Sequence, residues 1–272
     1  MWRRTVDCLG IFVGIESRLP AIDALLAALL RSYAEAPGPA AIEYVLGHAE
    51  WPRLERDGAV VSRHDEDADL VPALEFDLYT QVIARVPGLP LHAGAVAGAD
   101  GRALVVAGRS GSGKSTLVRA LLARGLSYLS EECVTLAPGG TCLGLARALH
   151  ISPDEATLPS GLTLEPYPLR GLAHAPWLAH PPPRSIWRGS ARAAAVVALE
   201  HRPDAPGTLE PLTGGAALAA LWPAVLRPDA TALAGVAEVL AHVPAYRLST
   251  RRPEHALERV ATLAAELAIV PA

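Results

Sequence analysis

The chain contains one lysine, Lys114, in the run Gly108-Arg109-Ser110-Gly111-Ser112-Gly113-Lys114-Ser115-Thr116. Lysine and arginine together number 24, so every other basic residue is arginine. The run fits G-x-x-x-x-G-K-[ST], the phosphate-binding P-loop. Its glycines let the backbone curl so that successive N–H groups point inward and form an anion nest. The helix expected after it adds the positive end of its dipole. Lys114 would reach the β- and γ-phosphates of a nucleotide, and the Ser115 hydroxyl would ligate Mg²⁺. A planar guanidinium cannot replace that compact ammonium in a tight loop, a reason for one lysine to persist in an arginine-rich chain. A glycine-rich turn that matches by chance is the alternative, and the flanking elements argue against it.

Phosphoryl transfer also requires a divalent metal and a group that takes the proton of the nucleophile. Glu131 and Glu132 are the candidates. They follow a hydrophobic stretch expected to run as a strand beside the P-loop strand, and adjacent residues at a strand end point to opposite sides. One carboxylate can then face Mg²⁺ while the other faces the acceptor. A solvated acidic turn is the competing reading of the pair. His92 is a third candidate, because a β-hairpin would bring its strand next to the P-loop strand and its imidazole toward the γ-phosphate. A purely structural histidine is its alternative.

These groups need a frame. Residues 102–107 read as a buried strand, and Leu117, Val118, Leu121 and Leu122 give a helical stripe after the loop, so strand, loop and helix stand in the required order. Residues 91–97 read as the preceding strand, turning at Ala99-Asp100-Gly101. Arg124-Gly125 stops the helix. Residues 126–129 and 134–136 are short strands, 193–199 and 244–248 later ones. Residues 213–242 carry two Ala/Leu helices, and 253–267 a closing helix.

Upstream, residues 19–33 and 72–86 read as helices, the second with Leu74, Leu78, Val82 and Ile83 on one side. Residues 42–46, 53–56 and 59–62 read as strands, with Asp57-Gly58 as a hairpin turn. Residues 150–190 hold eight of the 24 prolines and read as a long irregular excursion, a lid or acceptor loop. The expected domains are a small α+β recognition or scaffold domain over residues 1–88 and a P-loop domain over 89–272.

The composition narrows the class. At 272 residues with 51% hydrophobic side chains, the chain has a sizeable core. A net charge of −4 gives no electrostatic footprint for nucleic acid. No run of 18 apolar residues suggests a membrane span. Asp7 and Glu16 interrupt the apolar N-terminal stretch, which argues against a signal peptide. Cys8, Cys133 and Cys142 form no C-x-x-C pair and read as reduced cytoplasmic thiols rather than a metal site.

The segments Leu91-His92-Ala93-Gly94, Gly108 to Thr116, Leu121-Leu122-Ala123-Arg124-Gly125 and Leu129-Ser130-Glu131-Glu132 resemble the HPr kinase/phosphorylase family. The similarity is nearest to the HPr-kinase-like proteins of bacterial peptide-modification gene clusters, such as those for lasso peptides. Arg147-Ala148-Leu149-His150-Ile151 and Pro244-Ala245-Tyr246-Arg247-Leu248 are similar to later landmarks of that group. The resemblance covers residues 89–265 and is densest up to 137.

It implies an α/β fold with a P-loop kinase core of the HPr kinase/phosphoenolpyruvate carboxykinase type and a mostly parallel sheet. It also implies ATP- and Mg²⁺-dependent phosphorylation of a serine in a protein, or in a precursor peptide for the cluster-encoded relatives. The activity expected of this chain is transfer to a serine or threonine hydroxyl of a peptide or small protein, with a precursor peptide as the acceptor. By the same resemblance His92 matches the family histidine, Glu131 the base and Glu132 the metal-shell acid. Glutamate stands where the family usually has its first aspartate, and the glycine-rich acceptor loop of true HPr kinases is absent, so HPr is not the expected acceptor. A nucleotide-dependent binding or chaperone protein, or a kinase of a small hydroxyl metabolite, are the alternatives. Homo-oligomerisation stays open.

Overall fold

The computed structural model describes residues 1–152, 161–167, 176–202, 205–251 and 253–271. The chain begins with β1 (Trp2–Cys8), β2 (Ile11–Ser17), α1 (Asp23–Leu29), β3 (Ala34–Glu35) and β4 (Ile42–His48). It continues with β5 (Pro52–Arg56), β6 (Ala59–Arg63) and α2 (Leu70–Arg85). Next come β7 (Leu89–Ala97), β8 (Arg102–Ala107), α3 (Lys114–Leu122), β9 (Ser127–Ser130), β10 (Cys133–Leu136) and β11 (Thr141–Gly144). Three short strands follow: β12 (Leu149–Ile151), β13 (Thr163–Pro166) and β14 (Trp177–His180). The last part holds β15 (Ala191–His201), β16 (Pro206–Leu212), α4 (Gly214–Leu221), α5 (Ala232–His242), β17 (Ala245–Thr250) and α6 (Pro253–Glu266). Among the described residues no helix is long and apolar enough to cross a membrane.

Two compact units result. One comprises Met1–Val86 with Ala146–Pro182, the other Pro87–Leu145 with Pro183–Ala272. The N-terminal boundary thus falls two residues before the expected one, and the expected continuous second domain is interrupted. Residues 146–182 belong to the first unit.

The first unit has a six-stranded sheet in the order β3-β1-β2-β4-β5-β6. Local turns fix its hairpins. Leu9-Gly10 joins β1 to β2 and Asp57-Gly58 joins β5 to β6, and all four residues have positive φ, the backbone a two-residue hairpin turn demands. The β1–β2 hairpin was not foreseen, because an apolar run through Leu9, Ile11 and Phe12 hides the turn. β2 and β4 pair in parallel through the crossover that carries α1. α2 buries Leu70, Val71, Leu74, Leu78 and Val82, each contributing about 1.5–3 kcal/mol. Its polar edge is tied down by Asp77, which accepts hydrogen bonds from Tyr44 Oη and Arg56 Nη1 at 2.6 Å.

The proline-rich excursion is more ordered than its composition suggests. β12, β14 and β13 form a three-stranded antiparallel sheet, which corrects the expectation of an irregular lid over these stretches. Residues 153–160 and 168–175 of that expected lid lie outside the described residues. The segment joins the first unit through a buried carboxylate on α2. Glu75, 7% exposed, has Arg147 Nη1 and His150 Nε2 each 3.2 Å from Oε1, and Tyr167 Oη donates to Oε2.

Burial alone would raise the Glu75 pKa. The His150 hydrogen bond and the Arg147 charge outweigh it and hold the carboxyl below its ordinary value. A depressed folded pKa means this contribution is present at neutral pH and is lost as pH falls through the folded value. Glu75→Gln keeps the shape and leaves the half-buried Arg147 charge without its carboxylate, so urea denaturation should show a loss of about 2–4 kcal/mol, somewhat under that of a fully buried pair. The deficit should shrink on acidification below the carboxylate range. A deficit unchanged by pH would show that packing, not charge, is what the residue supplies.

The second unit is built on an eight-stranded mixed sheet, ordered β11-β10-β7-β8-β15-β17-β16, with β9 paired to β7. Among the described residues, β8–β15 and β15–β17 are the parallel strand pairs of this sheet. The expected mostly parallel sheet is therefore corrected to a parallel centre with antiparallel flanks. The reason is connection length: the short turn at Ala99-Asp100-Gly101 forces β7 and β8 antiparallel, whereas parallel pairing needs a long crossover. Alanines at 93, 95, 97, 103, 107, 193 and 198 line the core, and their small side chains let the covering elements approach the sheet closely.

Candidate functional site

β8 delivers the chain from the buried core to Gly108, and the loop then turns into α3. Gly111 (φ +76°) and Gly113 (φ +98°) occupy left-handed backbone that strains any other residue. Gly108 is held for a different reason. A Cβ there would stand 2.8 Å from Ser112 Oγ and 2.9 Å from Leu199 O. The curl is thus fixed by three glycines, and the N–H groups of the first turn of α3, around Lys114, Ser115 and Thr116, lack intrahelical acceptors.

Lys114 is 5% exposed and folds back on its own loop, donating to Gly108 O at 2.9 Å and Arg109 O at 3.1 Å. Burial lowers its pKa, and the charges of Glu132 and then Glu131 oppose that shift. Both carboxylates therefore act electrostatically on the loop's ammonium. Arg109, Ser110 and Gly111 are exposed, and Ser112, Ser115 and Thr116 are half-buried.

The acidic pair reaches this neighbourhood by an unforeseen route. β9 pairs with β7, not with β8, so the expectation that it runs beside the P-loop strand is corrected. The turn between β9 and β10 sets Glu131 and Glu132 at the β7 edge, where Cys133 pairs with His92. His92 belongs to the same neighbourhood: the Gly108 N–H approaches His92 O at 3.4 Å, and His92 Nε2 lies 3.4 Å from Glu132 Oε1. The two carboxylates differ in access. Glu131 is 3% exposed, whereas the Glu132 side chain keeps 28% of its surface in solvent.

Gly94 sets the spacing between the helix and the acidic turn. A Cβ on it would stand 2.6 Å from Val118 Cγ2 of α3 and 3.6 Å from Glu131 Cα. A side chain there would have to push α3 off β7.

A cleft of about 370 Å³ borders the loop. One wall is Gly108–Ser112, another is Ala219, Ala220, Pro223 and Ala224, and the end of β15 contributes Leu199, Glu200 and His201, with Arg202 just after it. Glu200 holds two guanidiniums, with Arg202 Nη2 at 2.8 Å and Arg247 Nε at 3.3 Å. The sequence reading passed over these residues. The available signal was a charged triplet directly after an apolar strand, since ligands in α/β sheets gather at the carboxyl ends of strands.

Among the described residues no group of three or more His, Cys, Asp and Glu side chains is placed to hold a metal ion. A cation here would rely on one or two carboxylates, a hydroxyl and ligand phosphates, which is the usual way of binding Mg²⁺.

No family model matches the chain, and no curated protein matches it. Among solved structures it is similar to the Hpr(Ser) kinase/phosphatase from Coxiella burnetii, at 12% identity over 65% of this chain and 98% of that one. The TM-score is 0.33, an overlap too loose to carry a shared fold or a function.

Proposed function

We propose that the second unit binds ATP and transfers its γ-phosphoryl group to a serine or threonine hydroxyl of a peptide or small protein, with a precursor peptide as the acceptor. The observation that carries this reading is a buried lysine folded onto the carbonyls of Gly108 and Arg109, in a loop whose Gly108 N–H approaches His92 O while His92 Nε2 stands 3.4 Å from Glu132. The loop amides and Lys114 bind the phosphates. Ser115 and Glu131 would hold Mg²⁺, since both offer the hard oxygen donors it prefers. That ion, when bound, neutralises charge on the β- and γ-phosphates.

In the transfer the acceptor oxygen bonds to the γ-phosphorus as the bond to the β,γ-bridging oxygen breaks, and ADP leaves. The hydroxyl proton goes to a carboxylate. Access favours Glu132 for that task, with His92 beside it, and leaves buried Glu131 for the metal side. This reverses the roles that the family resemblance implies.

The test is incubation of the purified protein with γ-labelled ATP, with and without serine- and threonine-containing peptides as acceptors. Label appearing on a peptide supports the proposal. Tight ATP binding without transfer to any peptide or hydroxyl metabolite would instead make the protein a nucleotide-dependent binding module.

A further inference from the structure

We infer that Ser130 is the positioning residue of the acidic pair, an inference that rests on the kinase reading above. Ser130 is the last residue of β9 and has no exposed surface. Its Oγ accepts the N–H of Glu132 at 3.3 Å and of Cys133 at 3.2 Å. A serine hydroxyl that bonds the backbone two and three residues ahead closes a local turn and fixes its direction.

The same turn is held from the opposite side. The Ala93 N–H donates to Glu132 O at 3.2 Å, one residue from His92. Glu132 therefore has both backbone polar groups anchored, one to a side chain and one to β7. From that anchored backbone its carboxylate stands 3.4 Å from His92 Nε2.

A register shift supplies the rest of the geometry. Ala95 pairs with Ser130, but Val96 pairs with Tyr128, so Leu129 is an extra residue in β9. A bulge of this kind bends its strand and re-aims the residues that follow. Here the residues that follow are Glu131 and Glu132. Bulge and hydroxyl together turn the end of β9 toward the loop.

Ser130 acts through its neighbours, so its signature should separate from that of a phosphate ligand. In Ser130→Ala, affinity for a non-hydrolysable ATP analogue without metal should stay within about twofold of wild type, because the loop is untouched. The affinity gained on adding Mg²⁺ should fall, and kcat for transfer should drop about tenfold or more, the scale set by the two hydrogen bonds lost. KM for the acceptor should change less. Ser130→Thr, which keeps an acceptor oxygen, should recover most of the loss.

A second readout needs no nucleotide. Amide hydrogen exchange at Glu132 and Cys133 in the free protein should be faster in Ser130→Ala than in wild type. If Ser130→Ala does not fold, Ser130→Cys, with a weak acceptor of similar size, carries the same comparison. Unchanged exchange at those two amides would overturn the inference, as would metal-free affinity falling as far as kcat. Failure of the wild-type protein to bind ATP would overturn the kinase reading, while the exchange result would still decide whether the hydroxyl holds the turn.

Discussion

Lys114→Ala is expected to weaken ATP binding by about 10- to 100-fold, the loss of one or two charge-assisted hydrogen bonds to phosphate. Phosphoryl transfer should fall further, by about 10²–10³, because the ammonium also stabilises charge that develops only in the transition state. The side chain is already committed to this place: it is buried, and its ammonium rests on the carbonyls of Gly108 and Arg109. Phosphate binding would exchange those two carbonyl contacts for anionic oxygens. Lys114→Arg should behave more like the alanine variant than like wild type, since a planar fork needs room that the curled loop lacks. Calorimetric titration with ATP on variants with matched melting temperatures checks this. Wild-type affinity in Lys114→Ala would remove the phosphate-loop assignment altogether.

What the sequence made legible here was local. Gly108 to Thr116 is a consecutive motif flanked by a strand and a helix, and β8 and α3 lie where the pattern places them. His92 was within reach because the short turn at Ala99-Asp100-Gly101 states that its strand doubles back on β8. α2 and the Asp57-Gly58 hairpin were legible for the same reason: a period or a turn residue states them within a few positions.

What stayed hidden was non-local. Nothing in Leu126–Ser130 says that β9 pairs with β7 rather than β8. Nothing local in Arg147, His150 and Tyr167 says that they meet Glu75, more than 70 residues earlier. Pairing across such separations is decided by which buried surfaces and charges fit, not by periodicity. Proline density misled at 150–190 because proline ends strands as readily as it fills loops. β13 ends on Pro166, and Pro181-Pro182-Pro183 follows β14 directly. Glu200, His201 and Arg202 went unnoticed because only the pairing of β15 with β8 brings them beside the loop.

The acidic pair offers the sharpest remaining test, because resemblance and geometry assign its members opposite roles. A serine or threonine hydroxyl is a poor nucleophile at neutral pH, and a positioned carboxylate typically contributes about 10²–10⁴-fold to such a reaction. To take the proton the carboxylate must lie within hydrogen-bond reach of the hydroxyl. Glu132 is partly open and stands 3.4 Å from His92, while Glu131 is almost wholly enclosed. Glu132→Gln should therefore retain ATP binding and lose about 10²-fold or more in kcat at saturating Mg²⁺. Glu131→Gln should chiefly raise the Mg²⁺ concentration needed for half-maximal transfer, with kcat largely restored at high metal. His92→Gln should give an intermediate loss of kcat, and combining it with Glu132→Gln should cost less than the sum of the two, since neighbours acting on one proton are not independent. Rates measured over a Mg²⁺ series for the four variants resolve the assignment. If Glu131→Gln loses kcat at every Mg²⁺ concentration and Glu132→Gln recovers with metal, the proton goes to the buried carboxylate, as the resemblance implies. The acceptor would then have to open the β9–β10 turn in order to react.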